Sequence, residues 1–348
     1  MPTRFSRRAL LQFTAAAPAL RPLFAQPSPA PPAKSTVALM RGENRRQNIA
    51  AALTAIDDRI RPVLRTKKSV VIKVNNVSTV NQLAATHADA LHGILDYLGP
   101  RFKGPVYISE ASAGDTLQGF DNFGYNRVAS DRRSQQVELI DLNREAKYKS
   151  VAMMDYDLHA KPARFAARLF DPDAYIFCAA MLKTHNVMVA TLSVKNMALG
   201  APLHSPPGEK RWDDKRVVHN GLRQTHYNVF LAAQVLKPFW GAAVIDGYEG
   251  MEGNGPASGT PVASRIAIAS TDFVAADRVA VETMGINPDW LGYLRFCSDF
   301  GIGCYDPAGI EIRGEKIEAV RRKYMLHRDI ERELEWMGPM TDLPRKLG

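Results

Sequence analysis

Lys73, Lys183 and Lys195 each stand where an apolar run gives way to polar residues, in Lys73-Val74-Asn75-Asn76, Lys183-Thr184-His185-Asn186 and Lys195-Asn196. Brought together, such lysines act as point charges that hold a carboxylate or a phosphate. Asn75 and Asn196 would add directional hydrogen bonds. His185, two residues after Lys183, is the best general acid–base residue, because an unperturbed imidazole titrates near neutral pH; Lys183 joins it in the catalytic set. The plain alternatives stand beside this reading. A lone histidine is more often a satisfied structural residue, and Lys195 reads equally as a solvated helix position.

A second set is acidic. Asp246, Glu249, Glu252 and Asn254 lie among four glycines in Asp246-Gly247-Tyr248-Glu249-Gly250-Met251-Glu252-Gly253-Asn254-Gly255-Pro256. Their oxygens suit a hard cation such as Mg²⁺ or Ca²⁺, although the spacing is not that of an EF-hand. Otherwise the segment is a Gly-rich turn whose acids cap helices or pair with the lysines. It follows the apolar run Gly241–Ile245, and open α/β sheets bind ligands beyond the carboxyl ends of their strands. Another strand end carries Glu110-Ala111-Ser112-Ala113-Gly114-Asp115-Thr116. Asp277, set among small apolar residues, needs a partner if buried; Arg278 or a site lysine would serve.

The elements that must position these groups alternate. Strands are predicted over Thr36–Met40, Ser69–Val74, Pro105–Ser109, Val137–Leu142, Ala174–Met181, Gly241–Ile245, Ser264–Ala269 and Ile310–Arg313. Helices are predicted over Asn48–Leu64, His87–Leu98, Thr225–Leu236, Phe273–Met284 and Trp290–Phe300, with Pro62 as a stop or kink. Strands separated by helices give an α/β architecture: a mainly parallel sheet with helices on both faces. Tyr148–Phe170 and residues 201–218 break the rhythm as insertions, the second as an exposed loop or lid. A split into two sub-domains near residues 150–170 fits the same interruption.

The chain has 348 residues, enough for one large or two moderate domains, with ordinary globular composition. Its first residues, Ser6-Arg7-Arg8-Ala9-Leu10-Leu11-Gln12, resemble a twin-arginine signal ending near Gln26. The expected organisation is therefore a signal peptide at 1–26, a proline-rich linker at 27–35 and an α/β domain at 36–348. The expected location is the periplasm, reached through the twin-arginine export machinery. Removing Arg4, Arg7, Arg8 and Arg21 from the net charge of +9 leaves +5. The remaining basic residues are dispersed, which disfavours nucleic acid and suits a small anionic ligand. No apolar run approaches the roughly 20 residues of a membrane helix, so no integral membrane segment is expected in the mature chain.

Three cysteines occur, Cys178, Cys297 and Cys304, without a C-x-x-C pair. An iron–sulfur cluster built from this chain's own cysteines is not expected, while Cys297 and Cys304 are spaced to permit a disulfide. The G-x-S-x-G elbow and the H-E-x-x-H pattern are missing, and Gly119–Tyr125 lacks the dinucleotide-binding glycine order. His219 and His226 stand seven apart, and His204 lies in the second insertion.

Val71-Ile72-Lys73-Val74-Asn75, Lys183-Thr184-His185, Ser193-Val194-Lys195-Asn196 and the Asp246–Pro256 segment occur in an order that resembles domain-of-unknown-function family 362. Ala269–Asp277 and Met284-Gly285 extend the likeness, which runs from about Val70 to Arg313. Some members of that family carry a ferredoxin-type cluster domain, whose cysteines this chain lacks. The resemblance implies a fold grouping and a motif set without a settled reaction. Two functions fit the residues. One is an exported enzyme acting on a small anionic substrate with divalent-cation assistance. The other is a periplasmic binding or carrier protein for a metal or an anionic cofactor, without turnover.

Overall fold

β-branched and aliphatic runs bounded by polar turns set the strands. The computed structural model describes residues 34–339 apart from Arg133 and Pro207; the expected signal at 1–26 and residues 27–33 of the linker lie outside the described residues. The strands are β1 (Ser35–Arg41), β2 (Ser69–Lys73), β3 (Val106–Glu110), β4 (Val137–Asp141), β5 (Tyr148–Met154), β6 (Ala160–Ala166), β7 (Ala174–His185), β8 (Val189–Thr191), β9 (Trp240–Glu252), β10 (Thr260–Val262), β11 (Ile266–Ser270) and β12 (Ile310–Gly314). One sheet has the order β12-β1-β11-β9-β7-β2-β3-β4, with β8 pairing β7 and β10 pairing β9. The central run β9-β7-β2-β3-β4 is parallel throughout. β11 lies antiparallel between β9 and β1, and β12 pairs β1 in parallel.

Both faces of this α/β sheet are covered, as the near-continuous apolar strands require. The period-two alternation sorts the side chains. Val70, Ile72, Phe177 and Ala179 pack with Ile49, Leu53, Leu91 and Leu95 from the helices Arg45–Ala55 and Ala88–Leu98. Val71, Ile176, Cys178 and Ala180 face the other way, onto the helices Ser193–Gly200, Leu222–Leu236 and Phe273–Thr283. Lys73, two residues beyond Val71, extends the second face.

Four expectations are corrected. The helix predicted over Asn48–Leu64 is two helices, Arg45–Ala55 and Asp57–Leu64; the break falls at Ile56 (φ −118°, ψ 21°), and Pro62 sits inside the second. Tyr148–Phe170 contains the antiparallel hairpin β5–β6. It is tied to the helix Leu222–Leu236 by Asn228, whose Oδ1 accepts the Met154 N–H at 2.7 Å and whose Nδ2 donates to Met154 O at 2.8 Å. The segment 201–218 is exposed only in part: residues 208–211 are exposed, but Ala201, Pro202 and Leu203 are buried, and Arg164 grips Asp214 through Nε (2.8 Å) and Nη2 (3.0 Å) while lying 3.5 Å over the Trp212 ring. Finally, β7 and β9 run four and seven residues past their predicted ends, to His185 and Glu252, because β8 and β10 fold back on them. Residues from Lys34 onward form one compact unit. Among the described residues, no helix is long and apolar enough to cross a membrane.

Candidate functional site

The parallel strands β2 and β3 end side by side and bring Lys73 to Glu110, with Nζ and Oε1 2.7 Å apart. Both are almost fully buried. A buried pair persists only when its remaining hydrogen-bonding capacity is met, and here it is. Lys73 Nζ also donates to Val74 O (2.7 Å) and Asn196 Oδ1 (3.3 Å), and Glu110 accepts the amide N–H groups of Asn76 and Ala111, each at 2.8 Å. Asn75 Nδ2 donates to the same Asn196 Oδ1 at 2.9 Å. Thr86 Oγ1 accepts the Asn75 N–H and donates to Ala179 O on β7, both at 2.8 Å, which fixes the turn after β2.

Lys195 and Asn196 ride on the helix Ser193–Gly200. Leu192, at its N-cap, supplies no side-chain acceptor. Asp277 does so from the neighbouring helix: Oδ1 accepts the Ser193 N–H at 2.8 Å and Oδ2 the Val194 N–H at 3.0 Å. The partner expected for Asp277 was Arg278 or a site lysine; it is instead a helix N-terminus, where orphan amides and the macrodipole favour a carboxylate. Burial raises the Asp277 carboxyl to about 7, against the lowering effect of the Ser193 and Val194 hydrogen bonds. At the other end of this helix, a Cβ on Gly200 would overlap Lys73 Nζ and Cε. Glycine there is the space that admits the lysine.

β7 supplies Lys183 and His185 from within its extension rather than from beyond its end. Lys183 is fully buried and donates to Ala84 O at 3.2 Å; burial pulls its amine down to about 7, with the Glu110 charge opposing. His185 Nδ1 accepts the Val187 N–H at 3.0 Å, which assigns the ring proton to Nε2. Burial, and then the positive field of Lys195, hold the imidazole well below its usual range. His185 is thus a neutral ring with a fixed Nε2–H. β8 beside it begins with Val189 at φ 62°, an uncommon conformation for a β-branched residue, with its N–H bonded to the buried Glu333 Oε2 at 2.8 Å.

These elements line an open cavity of about 270 Å³ whose wall includes Asn75, Glu110, His185, Lys195, Asn196 and Lys215. Lys195 is 4% exposed. Burial pushes its amine well below the usual lysine range, Lys183 adds to the shift, and no carboxylate among the described residues offsets it. Lys215 Nζ donates to Pro202 O (2.6 Å) and Leu199 O (3.4 Å); burial lowers it to about 8. His219 stands at the exposed rim with its ring centroid 5.5 Å from that of His185. Three polar atoms in this region, Asn75 Oδ1, Asn76 Nδ2 and Thr191 Oγ1, are buried without a hydrogen-bond partner. Such groups are costly unless something satisfies them.

Of the residues singled out in the sequence, Asn75, His185, Lys195 and Asn196 therefore share one cavity wall, with Lys73 and Lys183 buried behind it. The acidic set does not join them. Asp246–Glu252 is strand, not turn, and between the pairs Met181–Asp246 and Lys183–Met251 β9 bulges, advancing five residues while β7 advances two. Buried Asp246 pairs with Arg45, Nε to Oδ2, at 3.1 Å. Glu249 is exposed, Glu252 accepts the Met325 N–H (2.8 Å), and Asn254 accepts the Arg328 N–H (3.4 Å). The described residues contain no group of three or more His, Cys, Asp or Glu placed to hold a metal ion. The glycines serve packing: a Cβ on Gly250 would meet Tyr324 Oη and Leu182 O, and one on Gly255 would meet Thr184 O. Cys297 and Cys304 are both free thiols.

Sequence reading passed over Lys215, which sits in a segment read as an open loop, and treated Glu110 as one polar residue of a strand end. The available signal for Glu110 was its place after the buried run Val106–Ser109, parallel to the strand that ends in Lys73.

A crystal structure of a Thermotoga maritima protein from a structural-genomics consortium is similar over 75% of this chain, at 12% sequence identity and a TM-score of 0.44. The likeness spans 60% of that protein's length. No curated protein matches this chain. A family model does match, over residues 70–282, more than half of the chain and all of the lysine-bearing strands. The chain belongs to the family described as domain of unknown function DUF362.

Proposed function

We propose that this protein is an exported enzyme acting on a small anionic substrate. One observation carries the reading: Lys73, Lys183, Lys195 and Lys215 are gathered at or just behind one cavity, where, among the described residues, Glu110 alone supplies a salt-bridging carboxylate. A cavity with that imbalance favours a ligand that brings negative charge. Lys215 and Lys195 would face the anion, Lys73 would hold Asn196 in place, and the His185 Nε2–H would donate to an oxygen of the substrate, as a neutral imidazole does when it polarises a carbonyl. The acidic β9 residues do not line this cavity: Asp246 pairs with Arg45, Glu252 accepts the Met325 N–H and Glu249 is exposed.

Isothermal titration with inorganic phosphate and with short-chain carboxylates tests the anion site. Lys215→Met should weaken the best ligand about 10- to 100-fold, the loss of one hydrogen bond to a charged group. Unchanged affinity in that variant, or no binding by any of these anions, would sink the reading.

A second reading, a periplasmic binding or carrier protein, is favoured by one detail. With Nδ1 committed to Val187, His185 has no free basic nitrogen. His185→Gln separates the two: a binding protein keeps most of its affinity, whereas an enzyme keeps affinity and loses rate.

A further inference from the structure

Lysines around the cavity differ in what holds them. Lys73 is matched by Glu110, and Lys215 Nζ is met by the carbonyls of Pro202 and Leu199. Lys195 reaches the same wall with no carboxylate or carbonyl among the described residues to stabilise an ammonium, on a helix pinned at one end by Asp277 and packed at the other against Lys73 through Gly200. A desolvated amine without a counterion is less basic than an exposed lysine, and its free form is a nucleophile. Around it lie groups suited to an oxygen that gains negative charge: the His185 Nε2–H, the unpartnered Asn76 Nδ2 and the unpartnered Thr191 hydroxyl.

Resting on the anion-site reading above, we infer that Lys195 condenses with the carbonyl group of a small 2-oxo acid to form an imine. The carboxylate of the acid would lie against Lys215, placing the adjacent carbonyl carbon before Lys195 Nζ. The nitrogen lone pair forms the N–C bond while the carbonyl π pair moves onto oxygen. One nitrogen proton passes to that oxygen, giving a neutral carbinolamine. The C–O bond then breaks as a second proton leaves nitrogen for the departing hydroxide, so one water is released for each imine formed and nothing is oxidised or reduced. Burial lowers the basicity of Lys195, the direction this geometry requires. Lys215, held near 8, remains mainly charged at neutral pH.

The full chain, incubated with pyruvate, glyoxylate or 2-oxoglutarate and then sodium cyanoborohydride at neutral pH, should gain the mass of one reduced adduct. For pyruvate that is one carboxyethyl group. Peptide mapping should place it on Lys195, at least tenfold above any exposed lysine. Lys195→Met should lose the label; because the mapping is done on the wild-type chain, the test does not depend on that variant folding. Labelling spread over exposed lysines, or none, while the oxo acids still bind in the calorimeter, overturns the imine and leaves the anion site standing. Failure of the oxo acids, phosphate and carboxylates alike to bind overturns both.

Discussion

The lysine-bearing strand ends and the acid-bearing stretch of β9 look alike as sequence, since each places charged residues just after an apolar run. They behave in opposite ways. Lys73, Glu110 and Asn196 arrive from separate elements and meet within hydrogen-bonding distance, although Asn196 is 123 residues from Lys73. Asp246, Glu249 and Glu252 are close neighbours in sequence and end up against Arg45, solvent and the Met325 amide. An extended strand rises about 3.3 Å per residue and points successive side chains to opposite faces. Proximity along a strand therefore scatters side chains, whereas parallel strands ending in register gather them.

The sharpest way to break this contrast is Lys73→Met. It leaves Glu110 buried and without its ion-pair partner, at a cost of about 3–5 kcal/mol, read as a fall in the urea midpoint with an unchanged slope. A loss below about 1 kcal/mol would mean that the pair is not the organising contact of the site.

Lys183→Met should move stability the other way. The folded amine titrates near 7 against an ordinary 10.5, so between those values the unfolded chain holds more protons and wild-type stability rises with pH. The penalty is fully present below pH 7 and gone above 10.5. The variant should thus gain about 1–4 kcal/mol at mildly acidic pH, and the gain should shrink as pH is raised toward about 10. Urea titrations at two pH values are sufficient. A gain that grew with pH would show that Lys183 is charged in the native state throughout.

On the acidic side, Glu249→Gln and Asn254→Ala should each change stability by no more than about 0.5 kcal/mol and leave anion affinity untouched. Stoichiometric metal in the wild-type protein that either substitution removed would restore β9 as a ligand strand and erase the contrast drawn here.

Much of this arrangement is legible before any coordinates. Val70–Val74 and Ala174–Met181 are runs that only a doubly covered strand accommodates, so the parallel core and the lysines at its end follow from pattern. What escapes is whatever depends on pairing. The hairpin β5–β6 is largely polar on its outer face, and its apolar run, Val151–Met154, is only four residues long. β7 and β9 lengthen because β8 and β10 return along them, and a return is invisible to local periodicity. Lys215 was missed for the same reason: the Arg164–Asp214 clasp that draws its segment inward spans 50 residues. His185 was found by position, but its role turned on a single amide, that of Val187, which no spacing rule reveals.

Gly200 and Lys73 have a consequence for how sequences of this kind can diverge. While a lysine occupies 73, any side chain at 200 occupies its ammonium's place; once 73 is shortened, that bar disappears. The two positions should therefore vary together or not at all. Gly200→Ala, harmful alone, should cost far less in a chain that already carries Lys73→Met, a non-additivity that a double-mutant cycle would measure directly.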